Sequence, residues 1–195
     1  MDIKDIERHY EKMSDDELVR IATTDADGLR PEVFGIIENE IKKRNLDPGI
    51  LGGALAQNRE YSVEEVEAYA ELLRSLPCPV CGSRDGKLNG TVLHTVKSFI
   101  FFTSARREPL IACPDCLDKR NNKAALTTAL LGWWGFPYGL FKTPVYIYRN
   151  FQQKKENRLD FPNMTLLSFS LNNIGKIEAY RDNEEKLEGL IGDIA

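Results

Sequence analysis

Little in this chain can carry covalent chemistry. Its 195 residues include two histidines and four cysteines. No P-loop string, no Gly-x-Gly-x-x-Gly fingerprint and no Gly-x-Ser-x-Gly elbow occurs, so the usual phosphate cradle, dinucleotide site and nucleophile turn are missing. His9 falls in a charged helical stretch and is expected to be exposed. His94 falls in a strand-like stretch and is expected to be hydrogen-bonded there rather than to ligate a metal. No cysteine is spare to act as a nucleophile. These gaps point away from an enzyme and toward a protein that works by binding. The N-terminal Met1-Asp-Ile-Lys-Asp-Ile-Glu run is charged and has no apolar core of a signal sequence, so a non-secreted, cytoplasmic protein is expected, at most at the inner face of the membrane.

What is present begins with the cysteines. They form two matched pairs, Cys78-Pro-Val-Cys81 and Cys113-Pro-Asp-Cys116, with 31 residues between them. Each pair can turn two sulfurs toward one ion, and four thiolates make a complete tetrahedral set for zinc. Gly82 follows the first pair, where a left-handed backbone costs glycine little; Leu117 follows the second. A reducing compartment favours metal over disulfides. Redox chemistry needs one such pair at a helix start rather than two facing pairs. Iron in a rubredoxin-like knuckle is the alternative to zinc. Four sulfurs leave no open coordination position, so the metal is expected to be structural.

The spacer reads as a long hairpin: a turn at Leu88-Asn89-Gly90-Thr91, a strand over residues 92–103, a break at Arg106-Arg107-Glu108-Pro109, and a return through Leu110-Ile111-Ala112. Together with the cysteine pairs it makes a zinc ribbon over residues 77–117.

Hydrophobic residues make up 42% of the chain and charged residues 29%, which is ordinary globular usage. The charge is uneven. Residues 1–76 carry 10 Lys and Arg against 18 Asp and Glu; residues 77–160 carry 13 against 6; residues 161–195 carry 3 against 6. A basic centre between acidic flanks is explained most simply by attraction within one fold. The alternative is an anionic partner, with Lys87, Lys97, Arg106, Arg107, Lys119 and Arg120 as anion-binding candidates.

The acidic first segment reads as helices. Ser14-Asp-Asp-Glu17 is a capping box. Pro31 and Glu32 suit a helix start, Val33, Ile36, Ile37 and Ile41 share one face, and Lys42-Lys43-Arg44 suits the last turn. Residues 1–45 are therefore an acidic helical module. Residues 46–61 look like a Gly-rich linker, and residues 62–76 form a helix, opened by a second capping box at Ser62 and Glu65, that leads into the ribbon.

Between Ala124 and Phe141 there is no charged side chain, and both tryptophans lie there. Eighteen uncharged residues are at the short limit for a bilayer span of about 20, and Gly132, Gly135, Pro137 and Gly139 interrupt them. The reading is a helix over about 118–133, an aromatic turn, and a return helix from about 143 with Thr143 as cap and Pro144 in first position. This helical hairpin, with the C-terminal helices (one over 163–179, another after Asp182), makes up residues 118–195 packing on the ribbon. The hairpin is expected to be core first; insertion of its tip, Trp133, Trp134, Phe136 and Tyr138, into a membrane interface is the second reading, and a full span the third.

The Cys-x-x-Cys-Gly and Cys-x-x-Cys pairs followed by the apolar Gly132-Trp-Trp-Gly-Phe-Pro137 string resemble a group of uncharacterised bacterial zinc-ribbon proteins. The run from Asp16-Glu-Leu18 through Arg30-Pro-Glu32 to Glu40-Ile-Lys-Lys-Arg44 resembles a short helical module of bacterial proteins. These likenesses imply a bacterial, non-secreted protein and bring no activity with them. The expectation is a mainly α protein with a small β zinc ribbon (α+β), non-catalytic, binding zinc, acting as an interaction or scaffold module. A protein partner is expected first, a membrane surface second and nucleic acid third.

Overall fold

A computed structural model of the chain describes residues 2–99 and 102–194. The fold is mainly α with one two-stranded antiparallel sheet. The chain divides into two compact units, Met1–Tyr69 with Ser170–Leu187, and Ala70–Phe169 with Glu188–Ala195.

The first unit holds α1 (Ile3–Lys12), α2 (Asp15–Thr24), α3 (Pro31–Lys43), α4 (Gly49–Ala56), the start of α5 (Val63–Arg74) and the short α9 (Ile174–Ala179). The Ser14 capping box forms: its hydroxyl accepts from Glu17 N while Glu17 accepts from Ser14 N. α3 opens on Pro31 and closes in a Schellman turn. There Asn45 takes φ +54, and the Leu46 and Asn45 amides donate to Ile41 O and Lys42 O. The apolar faces of α1 to α4 meet in a core of Ile6, Leu18, Ala22, Ile37, Ile41 and Ile50. Each fully buried Leu or Ile contributes about 1.5–3 kcal/mol. Arg44 does more than oppose a helix dipole. Its guanidinium donates to Tyr10 O at 2.8 Å, Met13 O at 2.6 Å and Asp15 Oδ1 at 3.1 Å, and to the buried Glu40 carboxylate at 2.8 and 2.9 Å. It thereby ties the α1–α2 corner to the end of α3.

Residues 46–61 are not an open linker. They contain α4, with Ile50, Gly53, Ala54 and Ala56 buried. The glycines serve close packing instead of flexibility: a Cβ on Gly49 would lie 2.5 Å from Ala179 O, and one on Gly53 would collide with Gly175 O. Gln57 Nε2 then donates to Ala22 O, and Asn58 Nδ2 to Ala26 O, so the segment is also bonded to α2 and the turn after it.

The second unit is built on β1 (Asn89–Phe99) and β2 (Phe102–Ala112), with α6 (Pro114–Leu131) and α7 (Tyr138–Glu156) laid against β1. The strands pair from Asn89↔Ala112 to Phe99↔Phe102. Two sequence expectations fail here. Asn89 and Gly90 are strand rather than turn, and β2 runs unbroken through Arg106–Pro109, so Arg106 and Arg107 are mid-strand residues. Pro109 is tolerated because β2 is an edge strand that needs no donor at that point. Ile100 and Phe101, within the expected strand, lie outside the described residues.

The helix limits also move. α6 starts at Pro114, straight from the second cysteine pair, and α7 starts at Tyr138, so Thr143 is a buried interior residue and Pro144 lies inside the helix. The 163–179 helix is two, α8 (Met164–Asn172) and α9, separated at Asn173. α10 (Glu184–Gly192) is the last.

Buried polar groups lock the second unit. Arg74, 2% exposed, donates to Leu88 O, Leu159 O and Asp160 O and pairs with Glu71. Asn163 accepts from Leu166 N, capping α8, and donates to Gly90 O.

Candidate functional site

The four-cysteine cluster comes together from two stretches of chain. Cys78 and Cys81 lie on the turn after α5, where Gly82 takes φ +71 and its amide donates to Cys78 O. Cys113 directly follows β2 as the N-cap residue of α6, and Cys116 lies in the first turn of that helix. The second pair needs no glycine because the chain continues directly as a helix.

All four sulfurs lie within 4.8 Å of one another. Cys81 and Cys113 Sγ are 3.8 Å apart, too far for a disulfide. A tetrahedron with metal–sulfur bonds of about 2.3 Å has edges of roughly 3.8 Å, so the set fits a single ion. The Cys113 amide donates to Cys78 Sγ at 3.3 Å, a typical orienting contact for a metal-bound thiolate. Burial raises the Cys78 thiol, but amide donors from Cys113, Val80 and Cys81 outweigh it and hold the thiol at about 7. Burial pushes Cys113 and Cys116 up. Four thiolates this close to one another would repel unless a cation lay among them. The cluster suits zinc binding, with Cys78 and Cys116 buried and Cys81 exposed. Zinc here would supply a fixed crosslink between α5, the end of β2 and the start of α6.

The two histidines differ. His9 is exposed. His94 is buried and its ring packs edge-on against Tyr146, 5.1 Å between centroids. Contrary to expectation, its Nδ1 finds no hydrogen-bond partner among the described residues. Burial, then the charges of Arg149 and Arg107, push its pKa down.

The expected aromatic core is the largest correction. No described helix is long and apolar enough to cross a membrane, which removes the full span. Yet the aromatic tip is not core either. Trp133 is 44% exposed, Trp134 68%, Phe136 82% and Tyr138 66%. Phe102 and Phe141 are exposed as well. The backbone beneath them is packed tightly. A Cβ on Gly135 would collide with Thr103 Oγ1, and one on Gly139 would lie 3.0 Å from Ser98 Oγ, so the turn of the helical hairpin abuts β1 and β2 at Ser98 and Thr103. Both indole N–H groups turn back onto α6, Trp133 donating to Ala129 O at 2.7 Å and Trp134 to Leu130 O at 3.3 Å. Those are helix-end carbonyls without intrahelical partners. The rings thus face outward with no donor left to satisfy.

The anion-binding candidates scatter in part. Lys87 is paired with Glu71 at 2.8 Å. Lys119 is exposed on α6, and Arg107 points to the β2 face opposite Arg106. Lys97, Arg106 and Arg120 do come together, joined by Lys123, around a cleft of about 540 Å³ between the sheet and α6. Sequence reasoning did not group Lys123 with them; its spacing of three from Arg120 on a helix was the available signal.

No protein-family model, no curated protein and no solved structure matches this chain.

Proposed function

We propose that the protein is a non-catalytic docking protein, stapled by zinc, and that its working surface is the aromatic end of the second unit, which lies on an anionic lipid interface. The observation that carries this reading is the outward presentation of Trp134, Phe136 and Phe102 on a rigid base, with both indole donors already bonded. Exposed apolar clusters of this kind mark interaction surfaces. Aromatic rings favour the depth just below lipid headgroups, where an interfacial element buries about 5–10 Å.

Charge favours lipid over an apolar protein groove. No Asp or Glu occurs between Asp118 and Glu156, nor between Asp85 and Glu108. The segments that build this end therefore carry cations alone, among them Lys142, whose Nζ lies 5.9 Å over the Tyr138 ring. An acid-free basic collar around an apolar tip complements anionic headgroups. The four-sulfur set supports zinc in a structural role, because it leaves no open position for a substrate.

Flotation with vesicles tests the reading. The protein should float with vesicles containing anionic phospholipid, float less with neutral vesicles, and stay at the bottom when Trp134 and Phe136 are both replaced by Ser. Equal recovery of wild type and the double variant would reject it.

A further inference from the structure

The cleft between the sheet and α6 has a composition that the aromatic tip does not explain. In an antiparallel pair, directly opposed residues share a face. Leu93/Glu108, Thr95/Arg106 and Lys97/Ser104 are such pairs, and all six residues line this cleft. The opposite wall is α6, which contributes Arg120, Lys123, Ala124 and Thr127. Four cations from three elements thus converge on one concavity. Glu108 is the acidic member, 4.0 Å from Arg106. Lys97, Arg120 and Lys123 have no ion-pair partner among the described residues, although like charges held near one another repel. The hydroxyls of Thr95, Ser104 and Thr127 supply donors between the cations, while Leu93, Ala124 and Phe102 supply an apolar wall. The volume, about 540 Å³, lies in the range of small-molecule sites and is much larger than an orthophosphate needs.

We propose that this cleft binds a phosphate ester, its phosphoryl group held by Lys97, Arg106, Arg120 and Lys123 and its organic part against Leu93, Ala124 and Phe102. The phosphate ester comes either from a soluble metabolite or from a lipid headgroup. The site goes beyond the membrane reading and does not need it. An Arg matches phosphate with a fork of donors and a Lys with a point charge, so the mixture suits a dianionic group.

The test uses the full-length, zinc-loaded protein and isothermal titration with glycerol phosphate, inorganic phosphate and sulfate. Flotation with vesicles that differ only in carrying phosphatidic acid or phosphatidylserine at equal charge forms the second arm. Saturable binding of glycerol phosphate, tighter than inorganic phosphate or sulfate, identifies a soluble ester. A selective gain on phosphatidic acid over phosphatidylserine identifies a lipid source. In either case Arg120→Gln with Lys123→Gln should weaken binding about tenfold or more, while Lys119→Gln, on the same helix outside the cleft, should not. Wild-type circular dichroism of both variants excludes misfolding.

The proposal is overturned if neither arm shows selective binding, if Lys119→Gln weakens it as much as the double variant, or if only a single-stranded oligonucleotide binds. A Trp134/Phe136 variant that no longer floats yet still binds glycerol phosphate keeps this site while separating it from the membrane reading; loss of ester binding with flotation intact does the reverse.

Discussion

The Asn150 side chain pairs with the His94 backbone in both directions. Asn150 Oδ1 accepts from His94 N at 3.0 Å and Asn150 Nδ2 donates to His94 O at 2.7 Å. β2 satisfies one edge of β1, and at this residue the amide of an α7 side chain takes the place of a third strand. Thr128 Oγ1 on α6 does the same for Val96 N at 3.1 Å. All of these groups are buried.

Replacing Asn150 by Ala would strand the buried His94 N–H, at a cost of about 1–3 kcal/mol, and leave His94 O with only the longer bond from Thr128 Oγ1 at 3.4 Å. Asn150→Ala should therefore destabilise the protein by about 1–3 kcal/mol in urea unfolding. Asn150→Asp should be at least as harmful, since it loses the donor and buries a charge. A change below about 0.5 kcal/mol, the usual scale of surface substitutions, would show that β1 does not depend on this pair.

Arg44 is the corresponding point in the first unit. Arg44→Met keeps the stem but leaves the buried Glu40 carboxylate with only the exposed Lys43 Nζ, at 3.4 Å, and unties Tyr10 O, Met13 O and Asp15. A loss of about 3–5 kcal/mol is expected, as for breaking a buried ion pair. The double variant Glu40→Gln/Arg44→Met should recover part of that loss, read as a positive coupling in a double-mutant cycle.

How far these features were legible follows from where their causes lie. The capping box at Ser14, the Pro31 start and the paired cysteines are local patterns, and each forms as the residues suggest. α4 was hidden because its glycines look like a flexible linker until α9, more than a hundred residues later, is packed against them. β2 crosses Pro109 because being at an edge is a property of the sheet rather than of the residue. Charge-free sequence from Ala124 to Phe141 has the same composition whether it is core or presented surface. Only the turn of the indole N–H groups onto Ala129 and Leu130 and the close contacts at Gly135 show which. The cleft cations lie on three elements, so their convergence depends on strand register.

Acid should weaken the fold partly through His94. The folded protein holds this ring neutral to a lower pH than an unfolded chain does, so on acidification the unfolded state takes up the proton first. The stability tied to neutral His94 is complete above the ordinary imidazole value of about 6.5 and is lost as pH falls below it. Urea midpoints should fall more between pH 7 and pH 5.5 for wild type than for His94→Gln. Equal slopes would remove His94 from the account. Glu40 acts in a separate, more acidic window: burial raises its carboxyl, but Arg44 and Lys43 prevail and lower it, so its contribution is lost only as pH falls through the carboxylate range.

Metal analysis should give one zinc per chain, falling to background in Cys116→Ser. Because ligand assembly and folding are coupled in such sites, chelation should lower the unfolding midpoint and broaden amide signals of β2 and the start of α6. An unchanged melting curve after complete zinc removal would contradict the structural role, and a coloured, iron-loaded protein would contradict the choice of metal.

The proposed docking surface is most directly tested by its own tryptophans, since Trp133 and Trp134 are the chain's two indoles. Their emission should be followed as vesicles of anionic phospholipid are added, with a second series carrying bromine on the upper acyl chain. A blue shift with strong quenching by the brominated lipid, weakened by high salt, is predicted. Emission that neither shifts nor quenches at lipid excess would contradict an interfacial aromatic end.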